Sequence, residues 1–431
     1  MMKTRKLRFV RLHDASPLAI AIILAISLNG APASAVDTSF NVASGDWGAG
    51  ASWDTGNAPT SVDNVNVENG GTAEITSNVD GQLVSINNGT VNHTAGTLTT
   101  TQWVNVGHGT AGGTGTYNLS AGATVNQGGG NLSLGQGDGL AAHGIFNNGG
   151  TYTGLGELIV GEDSFDTGSS GELNMTGGSI TAGGQFAIGK LKQGVGEVNL
   201  SGGSISSAWL AVGGAEGGQE QATGTFNLSG TGDYSTAGAV RIGQTGTGTF
   251  NMSGGTFDQN GAGEWVRVGP EGATQSGVGE FNISGTADFT TNSNITLGLS
   301  PTGSGVGNQS GGTVNAVSIV LGDTGSYNLL GGNLNLVDTV INNLRDDNPT
   351  AQPGSFNIAG GTLTLTGDKT GDIDALIDGG ILVGFGSGSN VVVSLEGGNT
   401  IVTAIPEAAS ITLAAIGAAS MLCGWRRRRR V

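Results

Sequence analysis

Hydrophobic and polar residues alternate along most of this 431-residue chain. In GTFNMSGGTF, residues 248–257, Phe250 and Met252 share one side of an extended chain, and Thr249, Asn251 and Ser253 share the other. WVRVG at 265–269 does the same, with Val266 and Val268 opposed to Trp265 and Arg267. Alternation over four or five residues between glycine turns predicts short strands, each buried on one side. No apolar stripe with a period of 3.6 residues appears in this region.

The pattern recurs. Aligning the asparagine of the first block gives Asn92, Asn118, Asn147, Asn174, Asn199, Asn227, Asn251, Asn282, Asn308, Asn328 and Asn357, at a mean step of about 26 residues. A second block follows most copies: WVNVG at 103–107, NLSLG at 131–135, ELIVG at 157–161, QFAIG at 185–189, WLAVG at 209–213, AVRIG at 239–243 and WVRVG at 265–269. A third short segment lies between them, as at Gly255-Thr256-Phe257. A period of this size marks a solenoid. Three short strands per step predict an all-β fold, a parallel β-helix of about eleven rungs with right-handed winding. Each rung buries its apolar face only against its neighbours. Differences in step length fall in loops such as 213–224 and 269–279. An antiparallel sandwich or propeller is the alternative.

The flanks read differently. Residues 36–90 predict an N-terminal β cap in which Trp47 and Trp53 close the first rung; a sugar-stacking pair is the other reading. The repeat domain covers 91–365. In 366–405, GDKTGDIDALIDGG predicts a short helix with Thr370 as N-cap, Ile373, Leu376 and Ile377 on one face, and Gly379-Gly380 at its end. DKTGDID also suggests calcium but lacks the spacing of an EF-hand loop, so a capping helix is favoured.

The two ends carry export signals. Lys3, Arg5, Lys6, Arg8 and Arg11 precede an apolar run at 18–28, and Ala33-Ser34-Ala35 supplies small residues for cleavage. This predicts a signal peptide over 1–35, the run being short for a membrane span. At 406–431, Pro406-Glu407 is followed by a mostly small and apolar run at 409–425, then Arg426, Arg427, Arg428, Arg429 and Arg430. That order predicts a short transmembrane helix held by its basic end on the cytoplasmic side. Dipeptide, apolar helix and basic cluster together resemble a PEP-CTERM sorting signal, with Ala408 where that family favours a second proline. The resemblance implies a bacterial protein whose tail is processed by a membrane enzyme, an exosortase, after passage through the export machinery. The repeat body is also similar to the β-strand repeats of such proteins and of autotransporter passengers.

Charge narrows the partners. Setting aside both basic ends and Asp14, six cations and 32 carboxylates remain, a net charge of −26. A surface of that sign repels nucleic acid. The single cysteine, Cys423, allows no intramolecular disulfide. Glycine, 83 residues or about 19%, far exceeds the usual share of about 7%, as sharp corners require.

Catalytic signals are sparse. GHGTAG at 107–112 matches a dinucleotide-loop pattern by composition alone. His93, His108 and His143 lack metal-ligand spacing and read as solvated loop residues. No catalytic, cofactor-binding or metal-ligating residue is assigned. Arg241 and Arg267 share an outward position on consecutive rungs, with Glu264 and Glu271 available to balance them. They form either a charge ladder or an anion site. Trp103, Trp209 and Trp265 face outward and offer stacking surfaces. The ladder of Thr, Asn and Ser around Asn251 predicts hydrogen bonds along the stack. The expectation is a non-enzymatic, secreted surface or matrix protein, structural or adhesive, in contact with exopolysaccharide and touching the membrane only through its tail. A polysaccharide-binding or polysaccharide-degrading β-helix and an ice- or crystal-binding face are the competitors.

Overall fold

Glycine-cornered strands too short to fold alone stack here into a parallel solenoid. The computed structural model describes residues 35–108, 113–137, 139–214, 221–261, 263–272, 275–342 and 354–406. The predicted signal segment before Ala35 and the tail after Pro406 lie outside the described residues. The described residues from Asp37 to Pro406 belong to one compact unit.

Each turn contributes three strand segments, the first two running together as one strand in four of the described turns. In the repeat read first, these are Thr247–Met252, Thr256–Gln259 and Val266–Val268. Among the described residues the third strands stack into a 13-stranded sheet, and the other two kinds, with three closing strands after residue 380, share a 24-stranded sheet. They define an asparagine face, a threonine face and a tryptophan face. Thirteen stacked strands enclose about twelve turns, one more than the asparagine series suggests. The difference arises because pairing begins at Asp37–Ser39 with Asn64–Val67, well before Asn92.

Pairing is parallel throughout the described coils, with local register shifts near Tyr152, Thr176 and Ser310. Thr225, Phe226 and Asn227 lie beside Thr249, Phe250 and Asn251, which lie beside Glu280, Phe281 and Asn282. Like side chains therefore stack inside. Ring centroids of Phe226 and Phe250 are 5.4 Å apart, and those of Phe250 and Phe281 5.6 Å. Phe257 and Phe289 stack at 4.5 Å. Where the aromatic column reaches Gly307, the ring of Tyr327 on the next turn occupies the space a Cβ would need.

The motif's leading glycine has a steric cause. At Gly248, a Cβ would overlap the carbonyl oxygen of Val212 and the backbone nitrogen of Gly243. Gly243 turns the corner with φ +66°. Backbone meets backbone at this corner, so no side chain fits between them.

Both ends are closed. Trp47 and Trp53 are buried and pack edge to face at 5.1 Å, with Phe40 against Trp53 at 5.2 Å. The Trp53 indole N–H donates to the Trp47 carbonyl at 2.7 Å. They seal the first turn and offer no sugar-stacking surface. At the other end, helix α1 (Thr370–Asp378) buries Ile373, and Leu376 and Ile377 pack against the core. Thr370 is its first helical residue rather than its cap. The Asp368 carboxylate accepts from both the Thr370 amide and hydroxyl, at 3.2 and 2.8 Å. A hairpin, Val391–Glu396 with Asn399–Ala404, then pairs antiparallel with Thr362–Leu365 and stops the parallel stack.

The asparagines form one continuous chain of amide bonds. Asn92 Nδ2 donates to Glu74 Oε1 at 2.8 Å, and each asparagine from Asn118 to Asn328 donates to the Oδ1 of its predecessor at 2.8–3.0 Å. A carboxylate, which only accepts, is the fitting first member of such a series.

Candidate ligand-binding face

The tryptophan face carries every outward residue the sequence singles out for ligand contact. Its strands alternate as predicted. Val240, Ile242, Val266 and Val268 are buried in the core, while Arg241 and Arg267 point outward as register partners. The two arginines do stack on consecutive turns.

Their surroundings decide what that pair can do. The Arg267 guanidinium bonds Glu271 at 3.0 Å and lies 5.9 Å from the Trp265 ring centroid. The Arg241 guanidinium sits 5.1 Å from the Trp209 ring centroid. Cation–π contact and an acid partner hold the two positive charges beside one another. Glu264 is exposed beside Trp265 and helps line a depression with Trp209, Ala239 and Arg241.

The register separates the three tryptophans unequally. Trp209, Ala239 and Trp265 occupy one column on three successive turns. Trp103 shares that column but lies four strands before Trp209, with Asn131, Glu157 and Gln185 between. It is 37% exposed and belongs to no cluster with the other two.

Between Trp103 and Trp209 the same face holds a group that motif reasoning passed over. Lys190 Nζ bonds Glu157 Oε2 at 3.1 Å. Asn131 Nδ2 also donates to that oxygen, at 3.2 Å. Glu157 lies two residues before Ile159, and Lys190 three after Ala187, its neighbour in the stack. The ion pair therefore spans Ile159 and Ala187, which point outward yet are sealed from solvent at 1% and 0% exposure. Glu162, the register partner of Lys190, is buried, and its Oε2 has no hydrogen-bond partner. Burial raises its pKa and Glu157 adds to the rise, while Lys190 opposes both. At neighbouring Asp163, burial also pushes upward. Amides of Thr167, Gly168 and Phe165 and the Thr167 hydroxyl outweigh it and hold the carboxyl below its usual range. No spacing rule points to this group, because Lys190 meets Glu157 and Glu162 only across turns.

The histidines correct the sequence reading. His93 is a core residue, not a solvated loop residue. It is fully buried, with Nδ1 3.1 Å from the Tyr117 hydroxyl and Nε2 3.1 Å from the Gly96 carbonyl. Strand alternation after outward Asn92 places it inside. His108 and His143 also lie in strands, and His143 Nδ1 is 2.8 Å from Ser170 Oγ. Among the described residues, no three His, Cys, Asp or Glu side chains converge on a metal position, and no helix is long and apolar enough to cross a membrane. Ala33, Glu407 and Arg426 to Arg430 lie outside the described residues.

No family model, curated protein or solved structure matches the chain.

Proposed function

We propose that this chain is an exported, non-enzymatic β-helix rod of the bacterial cell surface or extracellular matrix, structural or adhesive in role. In this reading the winding is right-handed and residues 1–35 are a signal peptide. The tail at 406–431 is a PEP-CTERM-like signal that anchors the chain briefly in the inner membrane until an exosortase-like enzyme processes it.

One observation carries the adhesive part. On the threonine face an outward column runs through Thr97, Thr124, Thr151, Ser179, Ser204, Asp233, Thr256, Asp288, Thr313, Asn333 and Thr362 in unbroken register. No side chain in it exceeds asparagine in length. At about 4.8 Å per strand this makes a polar strip roughly 50 Å long. A repetitive strip of hydroxyls, amides and carboxylates suits contact with a repetitive hydroxylated polymer such as exopolysaccharide. The full-length chain, solubilised in a zwitterionic detergent, is expected to co-sediment with exopolysaccharide of its own host and to leave its chain length unchanged. Release of reducing ends or unsaturated uronate would refute the non-enzymatic reading.

A second reading has its own observation. The pKa of Glu162 is raised by burial, with Glu157 and Lys190 nearby, and a carboxyl of raised pKa with a second carboxyl group close by is what glycoside cleavage requires. Under that reading Glu162→Gln abolishes turnover of a polysaccharide the wild-type chain degrades.

A further inference from the structure

We infer that the depression lined by Trp209, Ala239, Arg241 and Glu264 is a binding subsite for one uncharged hexopyranose ring of a neutral glycan. The inference rests on the glycan-contact reading above and adds to the threonine strip a second contact, on the tryptophan face. Ala239 is the small residue between two indoles in one outward column. It forms the floor of a cavity of about 270 Å³ with Trp209, Arg241 and Glu264 on its walls. That volume falls just below the range for pockets that enclose drug-sized ligands, about 300–1,000 Å³, and accommodates a single sugar ring.

The wall chemistry matches that ligand. Trp209, half-buried, lines the depression and offers its indole to the apolar face of a pyranose. Arg241 is held against the Trp209 ring, which orients its planar donors at little entropic cost. Glu264, on the rim, is an acceptor for sugar hydroxyls. The charge distribution selects against an anionic sugar. Arg267 is already bonded to Glu271, and the whole chain carries a formal charge of −17, a field that repels polyuronates.

The decisive variant is Ala239→Trp. Trp103, Trp209 and Trp265 already occupy this outward column, so the fold accepts an indole there while the cavity is filled. Affinity electrophoresis of the full-length chain, in zwitterionic detergent, would use gels containing hydroxyethylcellulose, galactomannan or alginate. The wild-type chain is expected to be retarded by at least one neutral polymer and not by alginate. Ala239→Trp and Trp209→Ala are each expected to weaken that retardation at least about tenfold, a loss of about 1.4 kcal/mol, with thermal midpoints near wild type. Equal retardation of Ala239→Trp and wild type would overturn the subsite alone and leave the adhesive role standing. Retardation by alginate only, abolished by salt, would place binding on the arginines and overturn it as well. If the wild-type chain is retarded by none of the three and also fails to sediment with its host's exopolysaccharide, subsite and adhesive role fall together.

Discussion

The asparagine chain makes a quantitative claim that a double-mutant cycle can test. Asn251 donates to Asn227 at 2.9 Å and accepts from Asn282 at 2.9 Å; Asn282 in turn accepts from Asn308 at 3.0 Å. Asn251→Ala removes two bonds, and so does Asn282→Ala. The double variant removes three, because one bond is shared. A net hydrogen bond contributes about 0.5–1.5 kcal/mol, and these amides are only half-buried, so water replaces part of each loss. Taking about 1 kcal/mol per bond, each single variant should lose about 2 kcal/mol and the double about 3. The coupling energy is then about 1 kcal/mol, carried by the Asn251–Asn282 bond. Urea unfolding followed by far-ultraviolet circular dichroism measures it, with unfolding rates as a second readout because long repeat arrays depart from two-state behaviour. Additivity within about 0.3–0.5 kcal/mol, the usual result for independent sites, would refute the claim that the amide chain contributes to stability.

Three further outcomes follow from other parts of the molecule. Gly248→Ala forces a methyl into the backbone of Val212 and Gly243 and should cost about 3 kcal/mol or more in urea unfolding, whereas the outward neighbour Thr249→Ala should stay within about 0.5 kcal/mol. Burial lowers the pKa of His93 from 6.5 against the opposing pull of the Gly96 and Ala95 carbonyls, so the unfolded chain binds the proton more readily. Stability should therefore hold above pH 6.5 and fall below it, and His93→Gln should flatten that slope between pH about 7.5 and about 5.5. The pKa of Glu162 is raised, so its protonated form is favoured in the fold and stability is lost as pH rises through the folded value. Glu162→Gln should raise the thermal midpoint at neutral pH and leave it unchanged below the unfolded value of 4.5.

What the sequence alone determined is the coil. Strand direction, the inward set of Phe226, Phe250 and Phe281, the outward asparagines and the glycine corners are all local consequences of a period-two pattern repeated at nearly constant spacing. Such a pattern buries its apolar side by stacking copy upon copy. Even the inward place of His93 follows from the alternation, since it lies one residue after outward Asn92, although a histidine by its type alone suggests a solvated position.

Tertiary structure decided what lies beside what on the outer faces. Turns vary from about 20 to about 31 residues, and only the register of the stacked strands converts positions in the chain into neighbours in space. It sets Trp209 and Trp265 on either side of Ala239 and leaves Trp103 four strands away. It lays Lys190 across Ile159 and Ala187 onto Glu157, and it leaves a Glu162 oxygen buried without a partner. Interior positions repeat because burial constrains every turn alike. Outer positions are free to differ from turn to turn, so their chemistry arises from adjacency that no local pattern encodes.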